Sequence, residues 1–247
     1  MILTITNQKG GAGKSTTAAE LGAALRNRGK TVLYIDLDTQ GNLTFALNGN
    51  KNKPGAFDIL TGKKAAQATI QKTENGDLIT ANGLTGSEKE LTNTGREYKL
   101  KKALASLRRK YDYIIIDTPP ALSVITINAL TASDTVIIPV QADAFSLQGV
   151  AALRETIETV QEYCNPALTV DGLIITRYNS RTNITKQMTE YLDRIADTLN
   201  SRLYKTKIRE CTAIKDAQAR QVNIFEYSPR SNGAKDYNDF ATEFLKA

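Results

Sequence analysis

No histidine and no tryptophan occur among the 247 residues of the chain. Without an imidazole there is no Ser-His-Asp triad, no histidine general base and no histidine-ligated zinc. Cysteine is nearly as scarce. Cys164 and Cys211 are too few for a disulfide scaffold or a four-thiolate metal site within one chain. Long apolar runs are missing as well: a stretch such as Tyr113-Ile114-Ile115-Ile116 falls far short of the ~20 residues that cross a bilayer. The opening MILTITNQ carries no charged leader, so export is not expected.

What remains is an ordinary globular composition, 41% hydrophobic and 23% charged. The length is ample for a full core, and no linker, repeat or low-complexity tract divides it, so residues 1–247 read as a single domain. The net charge of +6 is compatible with a polyanionic partner. The surplus is local. From Arg96 to Lys110 only Glu97 opposes seven basic residues, and from Arg177 to Arg220 basic residues outnumber acidic ones two to one. Either stretch also suits an ordinary solvated face.

Strand and helix patterns alternate. Ile2 to Thr6, Thr31 to Ile35, Tyr113 to Ile116, Thr135 to Ile138 and Gly172 to Ile175 are short apolar runs, as expected of parallel strands buried on both faces. Helical spacing marks Ser15 to Arg28, the region of Leu100 to Leu107, Leu147 to Val160, Ile184 to Leu199, and Ala234 to Leu245. The order predicts an α/β fold: a mostly parallel, twisted sheet with helices on both faces. Asn48 to Gly95, rich in Gly, Asn, Lys and Thr, predicts short elements and surface loops.

Between the first strand and first helix lies Gln8-Lys9-Gly10-Gly11-Ala12-Gly13-Lys14-Ser15-Thr16. Glycines let backbone N–H groups curl around a phosphate, and the following helix points its positive end at the same anion. Lys14 supplies a cation for the outer phosphates and the Ser15 hydroxyl a ligand for Mg²⁺. Gln8 stands where the general phosphate-loop pattern has its first glycine. Lys9 is unusual, because such a loop needs no second lysine; it either faces solvent or points toward the nucleotide of a second copy. Asp36 and Asp38 follow the second strand in DLDTQGN, and Asp117 ends the strand of IIIDTPP. At the carboxyl ends of parallel strands, such carboxylates serve Mg²⁺ or an attacking water. Each also fits a plain turn.

QKGGAGKST, DLDTQGN and IIIDTPP, in this order and spacing, resemble the ParA/MinD family of deviant Walker-A ATPases, and within it the ParA/Soj-type partition ATPases. PVQ at Pro139 and the YSPRSNGAKDY stretch at Tyr227 to Tyr237 extend the likeness over almost the whole chain. The resemblance implies a three-layer P-loop NTPase-like α/β fold, Mg²⁺-dependent ATP hydrolysis, an ATP-sandwich homodimer, nonspecific DNA binding and a ParB-like centromere-binding partner, in the cytoplasm on the nucleoid. By the same likeness, Lys9 reaches across the dimer and Lys14, with the backbone of Gly10, Gly11, Ala12 and Gly13, holds phosphates. Ser15 binds Mg²⁺, with Asp36 and Asp117 near its shell; Thr16 binds a phosphate; and Asp38 positions the hydrolytic water. Thr176, Ile208 and Arg209 are implied near adenine, although relatives often carry Asn and Pro at the first and last of these places. Candidates for DNA contact are Arg177, Arg181, Lys186, Lys215 and Arg220; relatives carry an arginine where Ala213 lies.

Three rivals follow from the same family. A MinD-like membrane ATPase needs a C-terminal amphipathic anchor, and the end from Asp236 to Ala247 is short and acidic. An iron–sulfur electron donor would share a cluster between copies, but Cys164 and Cys211 do not occupy the expected loops. A nucleotide-holding DNA-binding regulator without turnover is the third; no helix-turn-helix precedes the first strand.

Overall fold

The computed structural model describes residues 1–84, 90–91, 94–179 and 183–246, with side chains described at all of these except 144, 145, 147 and 183–186. Eight strands form one sheet: β1 (Ile2–Ile5), β2 (Val32–Asp36), β3 (Gln71–Thr73), β4 (Gly76–Ile79), β5 (Tyr113–Asp117), β6 (Thr135–Gln141), β7 (Thr169–Tyr178) and β8 (Arg202–Arg209). Their spatial order is β3-β4-β2-β5-β1-β6-β7-β8. All neighbours run parallel except β3 against β4. The helices are α1 (Lys14–Arg26), α2 (Asn42–Ala46), α3 (Ala56–Leu60), α4 (Lys99–Leu104), α5 (Val124–Ala132), α6 (Ala144–Tyr163), α7 (Asn183–Thr198), α8 (Thr212–Ala219), α9 (Ile224–Tyr227) and α10 (Asn232–Phe244).

Side chains alternate between the faces of a strand, and here both faces are apolar. Leu3, Ile5, Val32, Tyr34, Ile115, Ile137, Ile174 and Tyr204 pack under α1, α2, α8, α9 and α10. Leu33, Ile35, Ile114 and Ile116 face α3, α4 and α5, and Val136, Ile138, Val140, Leu173 and Ile175 face α6 and α7. The layers are helix, sheet, helix, as the sequence pattern predicts. α1 lies so close to β2 that a Cβ on Gly22 would stand 2.2 Å from the Tyr34 ring.

Some elements depart from the expectation. β6 does not end at Pro139 but runs on to Gln141. β1 stops pairing with β6 at Ile137, and the Pro139 carbonyl on that side accepts instead from Asn7 Nδ2 at 2.6 Å. The proline's missing N–H therefore falls where no ladder bond is needed. The segment Asn48 to Gly95 contributes α3 and the β3–β4 hairpin, whose turn is held by Arg26: Nη2 donates to Glu74 O at 3.2 Å and Nη1 to Asn75 O.

β1 sits at the point where the sheet order changes direction, flanked by β5 and β6. Ligands of such sheets bind off the carboxyl ends of the strands beside that point. The loops after β1, β2, β5 and β7 all emerge there.

Candidate nucleotide site

The loop from Gln8 to Thr16 turns sharply after β1. Gly11 and Gly13 have φ of +74° and +92°, values that side chains other than glycine rarely adopt. Gln141 Nε2 donates to the Gly11 carbonyl at 2.9 Å, and Thr176 Oγ1 lies 2.8 Å from the Ala12 carbonyl. These contacts hold both carbonyls outward, against β6 and β7. The N–H on the far side of each planar peptide unit, at Ala12 and Gly13, then turns inward. α1 begins at Lys14, so its N-terminal dipole points into the same space.

That space is a cleft of about 520 Å³. Gly10, Gly11, Gly13, Lys14, Ser15 and Thr16 form one wall; Asp38, Gln40, Asn42 and Phe45 form another; Pro120, Arg177 and Gln218 close the rim. A smaller pocket of about 80 Å³ adjoins it, lined by Thr176, Ile208, Arg209, Cys211, Ile214 and Tyr237 among others. Gly13, Thr16, Arg177 and Gln218 border both.

Lys14 is only 6% exposed. Burial holds its ammonium below the ordinary lysine range, and the Asp117 and Asp38 carboxylates partly restore it. Asp117 is fully buried at the end of β5; the Ser15 hydroxyl stands near its carboxylate, but no donor reaches either oxygen in full hydrogen-bonding geometry. Burial pushes its carboxyl well up and Asp36 adds to this, while Ser15 and Lys14 pull it back. An anionic group so placed is costly unless a cation compensates it. Ser15, Asp117 and the cleft in front of them fit Mg²⁺, an ion that takes few protein ligands and completes its shell with phosphate and water.

Asp36 stands in register beside Asp117 and is held by donors of the loop that follows it. Its Oδ1 accepts from Asp38 N at 3.0 Å, and its Oδ2 accepts from Thr44 N and Thr44 Oγ1, both at 2.7 Å. It fastens α2 and the Asp38 turn to β2. Burial raises its carboxyl to about 6, against the pull of those donors. Asp38 lines the cleft, and its Oδ1 accepts from Gln40 N at 3.0 Å.

Lys9 does not project freely. Its ammonium is ion-paired with Asp143 and donates to Gln141 Oε1 at 3.0 Å. The implied adenine contacts Thr176, Ile208 and Arg209 share the small pocket, and the Arg209 guanidinium is ion-paired with Asp236 at 2.6 Å.

The candidate DNA residues separate. Arg177, exposed and at φ +50°, stands on the cleft rim. Lys215 projects from α8 beside Glu210 at 3.4 Å, and Arg220 follows α8 with its guanidinium over the Tyr227 ring. Arg181 lies outside the described residues; Lys186 is on α7, its side chain likewise outside them. The second basic stretch, near Arg108, sits away from the cleft, with Arg108 paired to Asp134 just before β6. Sequence reasoning missed Gln218, Gln141 and Asp143. Asp143 was legible as the N-cap of α6, since Asp is a favoured cap before a helical run; its carboxylate accepts from Ser146 N at 2.9 Å. Nothing in the sequence joins Gln218 to a loop 200 residues earlier.

The chain is similar to several known proteins along nearly its whole length. Residues 1–170 match the family model of an AAA domain. The chain is 42% identical to the sporulation initiation inhibitor protein Soj of Bacillus subtilis, over 98% of this chain and 97% of that protein. It is 34% identical to the chromosome-partitioning ATPase Soj of Treponema pallidum, over 98% and 96%. A Mycobacterium smegmatis structure described as cobyrinic acid a,c-diamide synthase, with bound ATP analog and magnesium, superposes with a TM-score of 0.85 at 36% identity, covering 99% of this chain and 94% of that one. A plasmid partition protein of Borrelia burgdorferi bound to AMPPNP superposes with a TM-score of 0.83 at 31% identity, covering 99% and 98%. With relatives of this kind matched along nearly its entire length, the chain belongs to the ParA/Soj family of partition ATPases, whose members are P-loop ATP hydrolases.

Proposed function

We propose that the cleft binds and hydrolyses ATP with Mg²⁺, and that the terminal phosphate holds two copies of the chain together in a form that grips nonspecific DNA. The observation that carries this reading is the buried Asp117 carboxylate, short of well-aligned donors between the Ser15 hydroxyl and the buried Lys14 ammonium. That pairing suits a site completed by a polyphosphate and a divalent cation.

In this reading, Ala12 and Gly13 offer backbone N–H groups to the phosphates, within the cradle of Gly10 and Gly11. Lys14 balances the charge that builds on the outer oxygens, and Thr16 donates to a phosphate. Ser15 and Asp117 hold Mg²⁺, which when bound neutralises charge on the phosphate oxygens. Asp38, its first carboxylate oxygen fixed by Gln40 N, directs the other toward the attacking water. Asp36 acts one layer back, by holding Asp38 and Thr44. The base enters the small pocket against Thr176 and Ile208, with the Arg209 stem as apolar cover. Lys9, released from Asp143, crosses to the phosphates of the second copy.

Lys215 and Arg220 form the DNA face, with Arg177, Arg181 and Lys186 as further candidates. Contacts of this kind are electrostatic and salt-sensitive. A ParB-like partner then stimulates hydrolysis and releases the dimer from DNA, in the cytoplasm on the nucleoid. A membrane plays no part in this reading; no helix among the described residues is long and apolar enough to cross one.

The test is duplex binding measured with no nucleotide, with ADP and with ATP, each with Mg²⁺ and across a salt series. Binding that requires ATP and falls steeply with salt supports the reading. Binding indifferent to nucleotide contradicts it.

A further inference from the structure

Gln218 and Thr16 are 202 residues apart in sequence, yet Gln218 Nε2 donates to Thr16 Oγ1 at 2.8 Å. Both side chains border the phosphate cleft and the smaller pocket. Thr16 lies in the first turn of α1; Gln218 lies in the last turn of α8. A threonine hydroxyl has one hydrogen to give and two lone pairs to fill. With the Gln218 amide on a lone pair, the hydroxyl hydrogen is left for another acceptor, and the acceptor that the cleft is built to receive is a phosphate oxygen.

We propose that Gln218 is a positioning residue: it fixes Thr16 as a phosphate donor and thereby makes α8 sensitive to nucleotide occupancy. The inference rests on the reading of Thr16 as a phosphate ligand. A second contact fastens the same end of α8 to the opposite wall of the cleft. Gln221, at φ +57°, donates from Nε2 to the Phe45 carbonyl on α2 at 3.0 Å. α2 in turn is held through Thr44 by Asp36. The end of α8 thus bridges the phosphate loop and the Asp36–Asp38 loop. When a phosphate accepts from Thr16, the donation from Gln218 strengthens, because chained hydrogen bonds polarise one another. α8 then becomes more firmly docked, and with it Lys215 and the following Arg220.

A double-mutant cycle tests this on the full chain with Mg²⁺ and ATPγS as the probe. Gln218→Met keeps the size of the side chain and removes the donor; Gln218→Glu also removes the donor and adds a negative charge beside the phosphate cleft. Gln218→Met is expected to weaken ATPγS binding by about three- to tenfold, the loss of one net hydrogen bond, and Gln218→Glu by more because of its charge. Thr16→Val is expected to weaken it at least as much. In the Thr16→Val background, Gln218→Met should have no further effect. Amide hydrogen exchange over residues 212–219 should slow on ATPγS binding in the wild type and not in Gln218→Met. Gln218 is half-exposed, so unchanged melting of the nucleotide-free variants is expected and separates positioning from folding. Wild-type affinity in Gln218→Met or Gln218→Glu, additive losses in the double variant, or α8 protection that persists in Gln218→Met would overturn the proposal. Wild-type affinity in Thr16→Val would instead overturn the underlying reading of Thr16.

Discussion

The ammonium of Lys9 is ion-paired within its own chain to Asp143, the residue that caps the N-terminus of α6. Both partners are partly exposed, at 25% and 36%, and pairs of this kind are worth about 1 kcal/mol or less. Burial tends to raise the Asp143 carboxyl, but Lys9 and the Ser146 N–H outweigh it and hold the group below its ordinary range. The contact is therefore strong enough to park a lysine and weak enough to surrender it to a triphosphate. A lysine that crosses to a second copy must leave Asp143 first.

Lys9→Ala is expected to bind ATP and to lose most of the hydrolysis stimulated by the partner protein, because the cross-subunit cation is gone. Phosphate release with DNA and a ParB-like partner present measures it. Full stimulated turnover in this variant removes Lys9 from the mechanism.

Asp117→Asn should move stability and activity in opposite directions. The native carboxylate is buried without a well-aligned donor, so replacing it by a neutral group of the same size should stabilise the nucleotide-free protein by about 1–3 kcal/mol. The gain should appear as a melting temperature several degrees higher. The same variant should lose the preference for ATP with Mg²⁺ over ATP with EDTA. Thermal melting and nucleotide titration, run side by side, check both halves.

Asp38→Ala should retain ATP binding and ATP-dependent assembly while hydrolysis falls by at least about a hundredfold, the lower range for a residue that directs a water or proton. Single-turnover phosphate release shows the loss. Normal turnover would reassign the residue to the structure of its loop.

The parts of the molecule that were legible are those where chemistry and backbone constrain the same residues. The phosphate loop needs glycine at φ values such as those of Gly11 and Gly13, and Asp36 and Asp117 end apolar strands; both leave plain marks. α5 was missed because Val124 to Ala132 is apolar on nearly every side, wedged between two core clusters, so it shows no helical stripe. β8 was hidden in a basic stretch: Arg202, Lys205, Lys207 and Arg209 interrupt its buried residues, as on a sheet edge. The β3–β4 hairpin consists of strands of three and four residues, too short for a period to register. Arg177 was grouped by charge with DNA-facing residues, and only the fold brings it to the cleft rim. Charge is visible in a sequence; the direction of a side chain after a strand end is not.

Glu20 supplies a pH dependence that is independent of the cleft chemistry. It is buried on α1, accepts from Ile224 N at 3.0 Å, and burial raises its carboxyl from 4.5 to about 7, against the pull of that donor. The folded protein thus keeps a proton that the unfolded chain has already lost. The stabilisation is fully present below about pH 4.5 and declines as pH rises toward 7, by about 3 kcal/mol in all. Denaturant unfolding at pH 5 and pH 7.5 should show this slope on top of that from the raised Asp36 and Asp117 carboxyls, and Glu20→Gln should reduce it by the Glu20 share. An unchanged slope in the variant places the proton elsewhere.

The central claim is that the triphosphate joins two copies of the chain. Light scattering with saturating nonhydrolysable ATP analogue and Mg²⁺ measures this most directly. The account predicts a mass about double the 27.0 kDa of one chain, reverting to that of one chain with ADP. A mass that stays at one chain under the analogue would contradict it.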